Sequence, residues 1–305
     1  MLVDSHLHVG GEIGPRKLLS YMDRAGLDRA ILLGSSQFTL TLDHHDGFVN
    51  HGDNNAYILR LSRDHPDRLA AWPTLDPRER RNAWRVKSYA DKGATGIKLY
   101  VGHGARNCFT GEPIFHVCRI DDDRMLPIYE ACAELDLPIC LHVNCGIADY
   151  WAELLPVLAE FRDVKFVIPH FALSTRAPHR LRFLFEQFPN VFSDVSFGQD
   201  EFLLAGSIRV EQNAKLRALV RAYSGHFLFG ADLVLTGTVH KTPQWMADRV
   251  EHYRAMLTQE RYWSKPFQRA FRGLALPKAA SRSIMCANVE RLCADLLPAI
   301  GANCS

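Results

Sequence analysis

Eight short apolar segments recur along this chain of 305 residues, and amphipathic stretches or polar loops separate them. The segments are Leu2–His6, Ala30–Gly34, Leu69–Thr74, Thr95–Val101, Pro138–Val143, Lys165–His170, Val191–Val195 and Phe227–Ala231. This alternation is typical of parallel sheets, because two parallel strands need a crossover connection, usually a helix, between them. Eight such units predict an α/β fold of the TIM type, a (β/α)8 barrel, which takes about 250 residues.

The residues beyond those needed for a barrel fall in two places. A polar excursion follows the second predicted strand at Gln37–Asn55, and the region from about residue 242 to Leu297 predicts a C-terminal helical extension. No Pro/Gly/Ser-rich linker divides the chain. We therefore expect residues 1–305 to form one domain.

The composition is that of an ordinary globular protein, with 47% hydrophobic and 23% charged residues and a net charge of +2. This balance gives no basic surface for nucleic acid, and no apolar run approaches the roughly 20 residues of a membrane-spanning helix. The eight cysteines contain no Cys-x-x-Cys pair, and Cys132, Cys140, Cys286 and Cys293 lie in apolar settings. We expect buried, reduced thiols and a cytoplasmic location, with no nucleic-acid or membrane partner.

Polar side chains stand at the ends of several predicted strands. His6 and His8 are two residues apart on the first strand, so both imidazoles point to the same face. His142, His170 and Asp232 end the fifth, sixth and eighth strands. Because the carboxyl ends of barrel strands build the active site, we expect these side chains to meet at one rim.

With these residues the chain resembles the amidohydrolase superfamily, in particular its amidohydrolase-related group of metal-dependent hydrolases and aromatic-acid decarboxylases. The matching segments are Asp4–His8, Gly96–Leu99, Asp123–Glu134, Leu137–His142, Pro169-His170, Gly230–Asp232 and Asn288–Leu292. The resemblance implies a (β/α)8 barrel that holds one or two divalent metals at its C-terminal rim. It implies that His6, His8, His142 and Asp232 are metal ligands. It also implies that His170 orients substrate or water, or binds a second metal.

The chemistry of this residue set supports the same interpretation. Three imidazoles and a carboxylate suit Zn2+ and also accept Mn2+. We expect one Zn2+, and the sequence leaves a second metal open. A catalytic site keeps one position for water, whose pKa the metal lowers to about 7. Asp232 would accept the proton from that water and pass it to the leaving group, and His170 would polarise the substrate carbonyl.

Lys98 has two roles among proteins similar to this one: a carboxylated lysine that bridges two metals, or an ammonium that binds substrate. The Gly-Ile-Lys-Leu context favours the ammonium, and a structural lysine paired with a buried acid is the alternative.

Further candidates for substrate binding lie near the predicted mouth of the barrel: His103 and Arg106 on loops, together with Tyr100 and His170. Arg106 suits a carboxylate because its fork reaches two oxygens at once. We expect His44, His45 and His51 to lie in a solvated loop.

Together these features predict a metal-dependent hydrolase that cleaves an amide, lactone or ester bond in a small organic substrate. The second candidate is a non-oxidative decarboxylase of an aromatic or unsaturated acid, in which Asp232 would carry a proton to carbon. A binding or scaffold protein that has kept the barrel without catalysis is a third, but none of the expected ligands is missing. A homodimer is usual among similar proteins, and the sequence leaves the oligomeric state open.

Overall fold

The structure is a computed structural model that describes residues 1–41, 47–102, 117–173, 178–196 and 210–293. Its barrel strands are β1 (Val3–Val9), β2 (Arg29–Leu33), β3 (Leu69–Trp72), β4 (Ile97–Gly102), β5 (Ile139–Val143), β6 (Phe166–Val167), β7 (Val191–Asp194), β8 (Phe227–Leu228) and β9 (Leu233–Leu235). They pair in parallel as two sheets, β3-β2-β1-β9 and β4-β5-β6-β7-β8. A bridge between Thr74 and Lys98 joins the sheets on one side. A hydrogen bond of 2.8 Å from the Ser5 amide to the Phe229 carbonyl joins them on the other, which closes the predicted barrel.

The helices alternate with the strands, as the sequence predicts. They are α1 (Pro15–Ala25), α2 (Gln37–Thr41), α3 (His51–Asp64), α4 (Asn82–Asp91), α5 (Leu126–Glu134), α6 (Ala148–Glu160), α7 (Pro178–Gln187), α8 (Val210–Ala222), α9 (Pro243–Thr258), α10 (Lys278–Arg282) and α11 (Asn288–Leu292). Within the described ranges, no helix is long and apolar enough to cross a membrane.

Helix α1 shows how the local sequence sets these boundaries. Pro15 occupies the first turn, where a missing N–H costs nothing, and Gly26 ends the helix with φ 68°. Its Leu18 and Met22, one turn apart, are fully buried. The chain then enters β2, whose parallel register sets Val3 opposite Arg29.

Two of the predicted strands are interrupted, and both interruptions occur where the polar side chains lie. The predicted sixth strand runs to His170, but β6 ends at Val167, and His170–Leu173 form a left-handed turn with φ between 49° and 61°. Pro169 has no amide proton to continue the sheet. In the eighth strand, Asp232 at φ 47° separates β8 from β9. At the rim of the barrel, the backbone therefore leaves regular strand geometry at the positions that carry these polar side chains.

The C-terminal extension contains an element that the sequence analysis missed. After α9, strands β10 (Arg261–Ser264) and β11 (Arg269–Arg272) form an antiparallel hairpin. The side chains of β10 alternate between exposed and buried, as in a half-buried strand. The hairpin packs on α9 through the Phe271 ring, 5.3 Å from that of His252.

The cysteines only partly follow the expectation of reduced thiols. Cys132, Cys140 and Cys293 are free and buried, together with Cys118 and Cys145. Cys286 is disulfide-bonded, so the expectation is wrong at that position. Apolar surroundings predict burial of a cysteine, but they do not decide its redox state.

Gly34, directly after β2, lies close to the segment that follows β3. A Cβ atom there would lie 2.3 Å from the Thr74 amide nitrogen and 2.6 Å from Asn55 Oδ1. We expect Gly34→Ala to lower the free energy of unfolding in urea by about 1–3 kcal/mol, because the neighbouring backbone must shift. The control is Gly11→Ala, where a Cβ meets nothing within 4 Å. Equal stability of the two variants would contradict this packing.

Candidate metal centre

His6 and His8 enter the site from β1 with their ring orientation fixed by hydrogen bonds. Nδ1 of His6 lies 2.7 Å from Asp194 Oδ2. Nδ1 of His8 lies 3.1 Å from the Leu33 carbonyl and 2.8 Å from Ser35 Oγ. A carbonyl or carboxylate oxygen only accepts, so Nδ1 carries the proton in both neutral rings. Their Nε2 atoms are then lone-pair donors, as a metal requires.

Burial also favours the neutral form of these imidazoles. Burial lowers the pKa of His6 well below its usual value, and the nearby charge of Lys98 adds to this effect. The pKa of His8 is lowered in the same way, first by burial and then by His6 and Lys98. Burial raises the pKa of Asp232 to about 8, against the opposing effect of Lys98. Neutral imidazoles and a desolvated carboxylate are a suitable environment for a cation.

Three ligand atoms converge on one point. Nε2 of His6 and Nε2 of His8 are 3.2 Å apart, and Oδ1 of Asp232 lies 3.2 Å from the first and 3.6 Å from the second. Ligand atoms about 2.0–2.2 Å from one tetrahedral zinc are separated by roughly 3.3–3.6 Å. These residues therefore fit a divalent ion, which would also stabilise the lone pairs that otherwise face one another.

His6, His170 and Asp194 form a second cluster of close ligand atoms. It is better explained by hydrogen bonding, because 2.7 Å between His6 Nδ1 and Asp194 Oδ2 is a hydrogen-bond distance and shorter than the separation of two ligands on one ion. Asp194 thus binds the Nδ1 side of the His6 ring, and the ion position lies on the Nε2 side.

The other two predicted histidines lie beside this triad. The His170 ring is 4.9 Å from that of His6, and its Nε2 is 3.8 Å from Asp232 Oδ2. The His142 ring, at the end of β5, is 4.9 Å from that of His170. Neither cluster of close ligand atoms includes His142. The structure therefore brings His6, His8 and Asp232 together, with His170 adjoining, while ligation by His142 stays a prediction.

Lys98 and Tyr100 project from β4 into the same space. Their register partners on β5 are Cys140 and His142. Nζ of the fully buried Lys98 lies 3.5 Å from Cys140 Sγ and 4.7 Å from the centre of the Tyr100 ring. Within the described part of the chain, no carboxylate is within ion-pair distance of Lys98. The alternative of a lysine paired with a buried acid is thus not supported there.

The remaining loop candidates have different outcomes. His103 and Arg106, together with His44 and His45, lie outside the described residues. His51 is not fully solvated, because it begins α3, is largely buried and lies 3.6 Å from Glu79 Oε2. Tyr100 and Phe48 form a buried apolar cluster, and Phe38 and Val117 pack against this pair.

Two supporting residues were missed by the sequence analysis. Asp194 ends β7 and Ser196 follows it, and both are buried beside His6 and His170. The signal was available for Asp194, because an acidic side chain at the end of the predicted strand that begins with Val191 and Phe192 occupies the same rim position as the predicted residues. Ser196 had no comparable signal, because serine is common in loops.

A family model described as amidohydrolase matches residues 3–292. The chain belongs to the amidohydrolase family. It is accordingly an amidohydrolase-type enzyme, and the resemblance drawn from the strand-end residues is confirmed. A search of curated proteins found no match.

Solved structures of other amidohydrolase-superfamily members share the barrel. An amidohydrolase from Burkholderia multivorans with bound zinc has a TM-score of 0.61 at 17% identity, covering 96% of this chain and 99% of its own. A 4-oxalomesaconate hydratase from Rhodopseudomonas palustris has a TM-score of 0.58 at 17% identity, covering 96% of each chain. A 5-carboxyvanillate decarboxylase from Sphingomonas paucimobilis has a TM-score of 0.57 at 13% identity, covering 96% and 98%. At these identities the likeness establishes the fold and leaves the reaction open.

Proposed function

We propose that this amidohydrolase is a metal-dependent hydrolase of a small organic substrate with an amide, lactone or ester bond. The observation that carries the proposal is the convergence of His6 Nε2, His8 Nε2 and Asp232 Oδ1 within 3.6 Å of one another. His142 is proposed as a fourth ligand. Two or three imidazoles and a carboxylate favour Zn2+, and the zinc in the related amidohydrolase supports this choice.

A divalent ion at this position supplies Lewis acidity toward a carbonyl and makes a water a stronger acid. The chain supplies the proton acceptor. Asp232 has 17% of its side chain exposed, whereas His6 and His8 are at most 2% exposed, so the carboxylate is the member of the triad that a substrate reaches most easily. Its Oδ2 faces His170, and its Oδ1 faces the two imidazoles. Asp232 can therefore hold a proton taken from water and release it to the leaving group.

Substrate binding is assigned to Lys98 and Tyr100. The buried ammonium of Lys98 lies above the Tyr100 ring and has no carboxylate of the described residues beside it, so an anionic substrate group can pair with it. The Tyr100 hydroxyl donates to the Gly34 carbonyl at 3.1 Å, which fixes the ring within 6.4 Å of His8. His103, Arg106 and His170 are proposed as further substrate contacts.

We expect Lys98→Met to raise KM by about 10-fold or more while metal content stays at the wild-type level, because hydrogen bonds to charged groups are worth roughly 1.5–3 kcal/mol. Methionine fills a similar volume and keeps the barrel packed. Steady-state kinetics and elemental analysis on the same preparations measure the two effects. Two metals per wild-type chain and the loss of metal in the variant would instead establish a carboxylated, bridging lysine.

A carboxy-lyase is the second candidate. The buried ammonium of Lys98, which has no carboxylate of the described residues within ion-pair distance, favours it, because a decarboxylase must hold a substrate carboxylate next to the metal. In this reaction Asp232 would deliver its proton to carbon. Zinc-loaded protein incubated with lactones, amides and hydroxybenzoates distinguishes the two reactions. Consumption of base at constant pH with lactones, or release of free amine from amides, without release of CO2 supports the hydrolase, and release of CO2 from an aromatic acid overturns it in favour of the lyase.

A further inference from the structure

A single carboxylate beside the metal position contacts two histidines, one on β1 and one in the turn that follows β6. Asp194 is 1% exposed, and its Oδ2 accepts from Nδ1 of His6 at 2.7 Å. Its Oδ1 accepts from the backbone amides of His170 and Ser196, each at 3.0 Å. Both oxygens of Asp194 are therefore used, and they are used for different partners.

Ser196 extends this arrangement to the His170 ring. Its hydroxyl donates to Asp194 Oδ1, and Nδ1 of His170 lies 2.8 Å from the same hydroxyl oxygen. A hydroxyl has one proton, and the charge-assisted bond to the carboxylate takes it. Ser196 can then only accept from His170, so Nδ1 of a neutral His170 must carry the ring proton.

We propose that Asp194 is the positioning residue for both imidazoles: it fixes the Nδ1–H tautomer of His6 directly and that of His170 through Ser196. In the neutral rings, both Nε2 atoms then face Asp232 as proton acceptors. For His6 this is the form that binds a metal. For His170 this tautomer changes the role expected from the sequence. A neutral ring whose Nε2 carries no proton can accept a proton or bind a metal, but it cannot donate a hydrogen bond to a substrate carbonyl.

Asparagine cannot replace Asp194, because its one oxygen serves only one side. If the amide nitrogen faces His6, Nδ1 must accept, and the ring proton moves to Nε2, where it blocks the metal. If the amide nitrogen faces the other side, the buried amides of His170 and Ser196 lose their acceptor.

Asp4 provides the matched control in the same buried layer. Its Oδ1 accepts from the backbone amides of His6 at 2.9 Å and Ala231 at 3.1 Å, and its Oδ2 has no hydrogen-bond partner among the residues that the structure describes. An asparagine at position 4 keeps the oxygen that is used. Asp4→Asn is thus the same chemical change as Asp194→Asn without the loss of an acceptor to an imidazole.

The test has two readouts on the full-length chain, neither of which requires substrate. Nitrogen NMR of the imidazoles in metal-free protein, assigned with His6→Gln and His170→Gln, should show the Nδ1–H tautomer at both rings. Ser196→Ala should mix the tautomers of His170 and leave His6 unchanged. Zinc affinity from chelator competition should fall about 10–100-fold in Asp194→Asn and stay within about threefold in Asp4→Asn.

An Nε2–H tautomer at either ring of the wild type overturns the proposal. Zinc affinity in Asp194→Asn equal to wild type, or equal losses in both carboxylate variants, also overturns it. If Asp194→Asn does not fold, Ser196→Ala still decides through the His170 signal. The inference rests on the proposed metal site, but its tautomers are read without turnover, so a failure of the hydrolase proposal is recognised separately.

Discussion

Asp232→Asn is expected to lower kcat by about 10²–10⁴-fold, the usual contribution of a positioned general base. The amide has nearly the shape of the carboxylate but cannot take up the proton. The backbone at this position is left-handed, with φ 47°, and asparagine adopts this conformation as readily as aspartate does. The variant should therefore fold normally, which an unchanged circular dichroism spectrum and thermal midpoint would verify. Alanine is the poorer choice, because it would add backbone strain to the loss of the carboxylate.

Metal content must be measured on the same Asp232→Asn preparation, since Asp232 is both a proposed ligand and the proposed proton acceptor. Turnover per bound zinc isolates the second role. Unchanged turnover per zinc would show that another group accepts the proton, and His170, whose Nε2 is 3.8 Å from Asp232 Oδ2, would be the next candidate.

His8→Ala is expected to lower zinc affinity by about 100-fold or more, because a structural zinc site contributes roughly 10–16 kcal/mol over four ligands, or about 3 kcal/mol for each. Chelator competition measures the affinity. The His8 Nε2 atom lies 3.2 Å from His6 Nε2, and alanine leaves that ligand position without a donor atom.

His252→Ala is the control for the loss of a buried imidazole. His252 is 2% exposed, like His8, and its Nδ1 is paired with Ser264 Oγ at 2.8 Å, in the aromatic cluster between α9 and the β10–β11 hairpin. Both variants should lose stability, because each removes a buried ring, but only His8→Ala should lose zinc affinity. Equal zinc affinities in the two variants would contradict the assignment of His8 as a ligand.

The strand-end histidines and aspartate were predictable because barrel topology fixes where they meet. Alternating apolar segments placed His6, His8, His170 and Asp232 at one rim before any distance was known, and the structure joins them within 3.8 Å or in adjoining rings. The rim position follows from the parallel direction of the strands, because their carboxyl ends lie at the same end of the barrel.

The local geometry around those residues was not predictable in the same way. In the turn at His170–Leu173, the left-handed conformation costs each non-glycine residue roughly 1–2 kcal/mol. No glycine or asparagine in Pro169–Leu173 predicts such a turn. The turn is held by contacts from elsewhere: the His170 amide donates to Asp194, and the Ala172 carbonyl accepts from the Cys145 amide at 3.0 Å. Partners distant in sequence therefore decide the conformation. The β10–β11 hairpin was missed for a related reason, since its strands are four residues each and their alternation is too short to stand out.

The most direct measurement is anomalous diffraction at the zinc absorption edge from crystals grown with Zn2+. We expect one anomalous peak that lies about 2.0–2.2 Å from each of His6 Nε2, His8 Nε2 and Asp232 Oδ1. A peak elsewhere, or no peak between these three atoms in protein that contains stoichiometric zinc, would contradict this expectation.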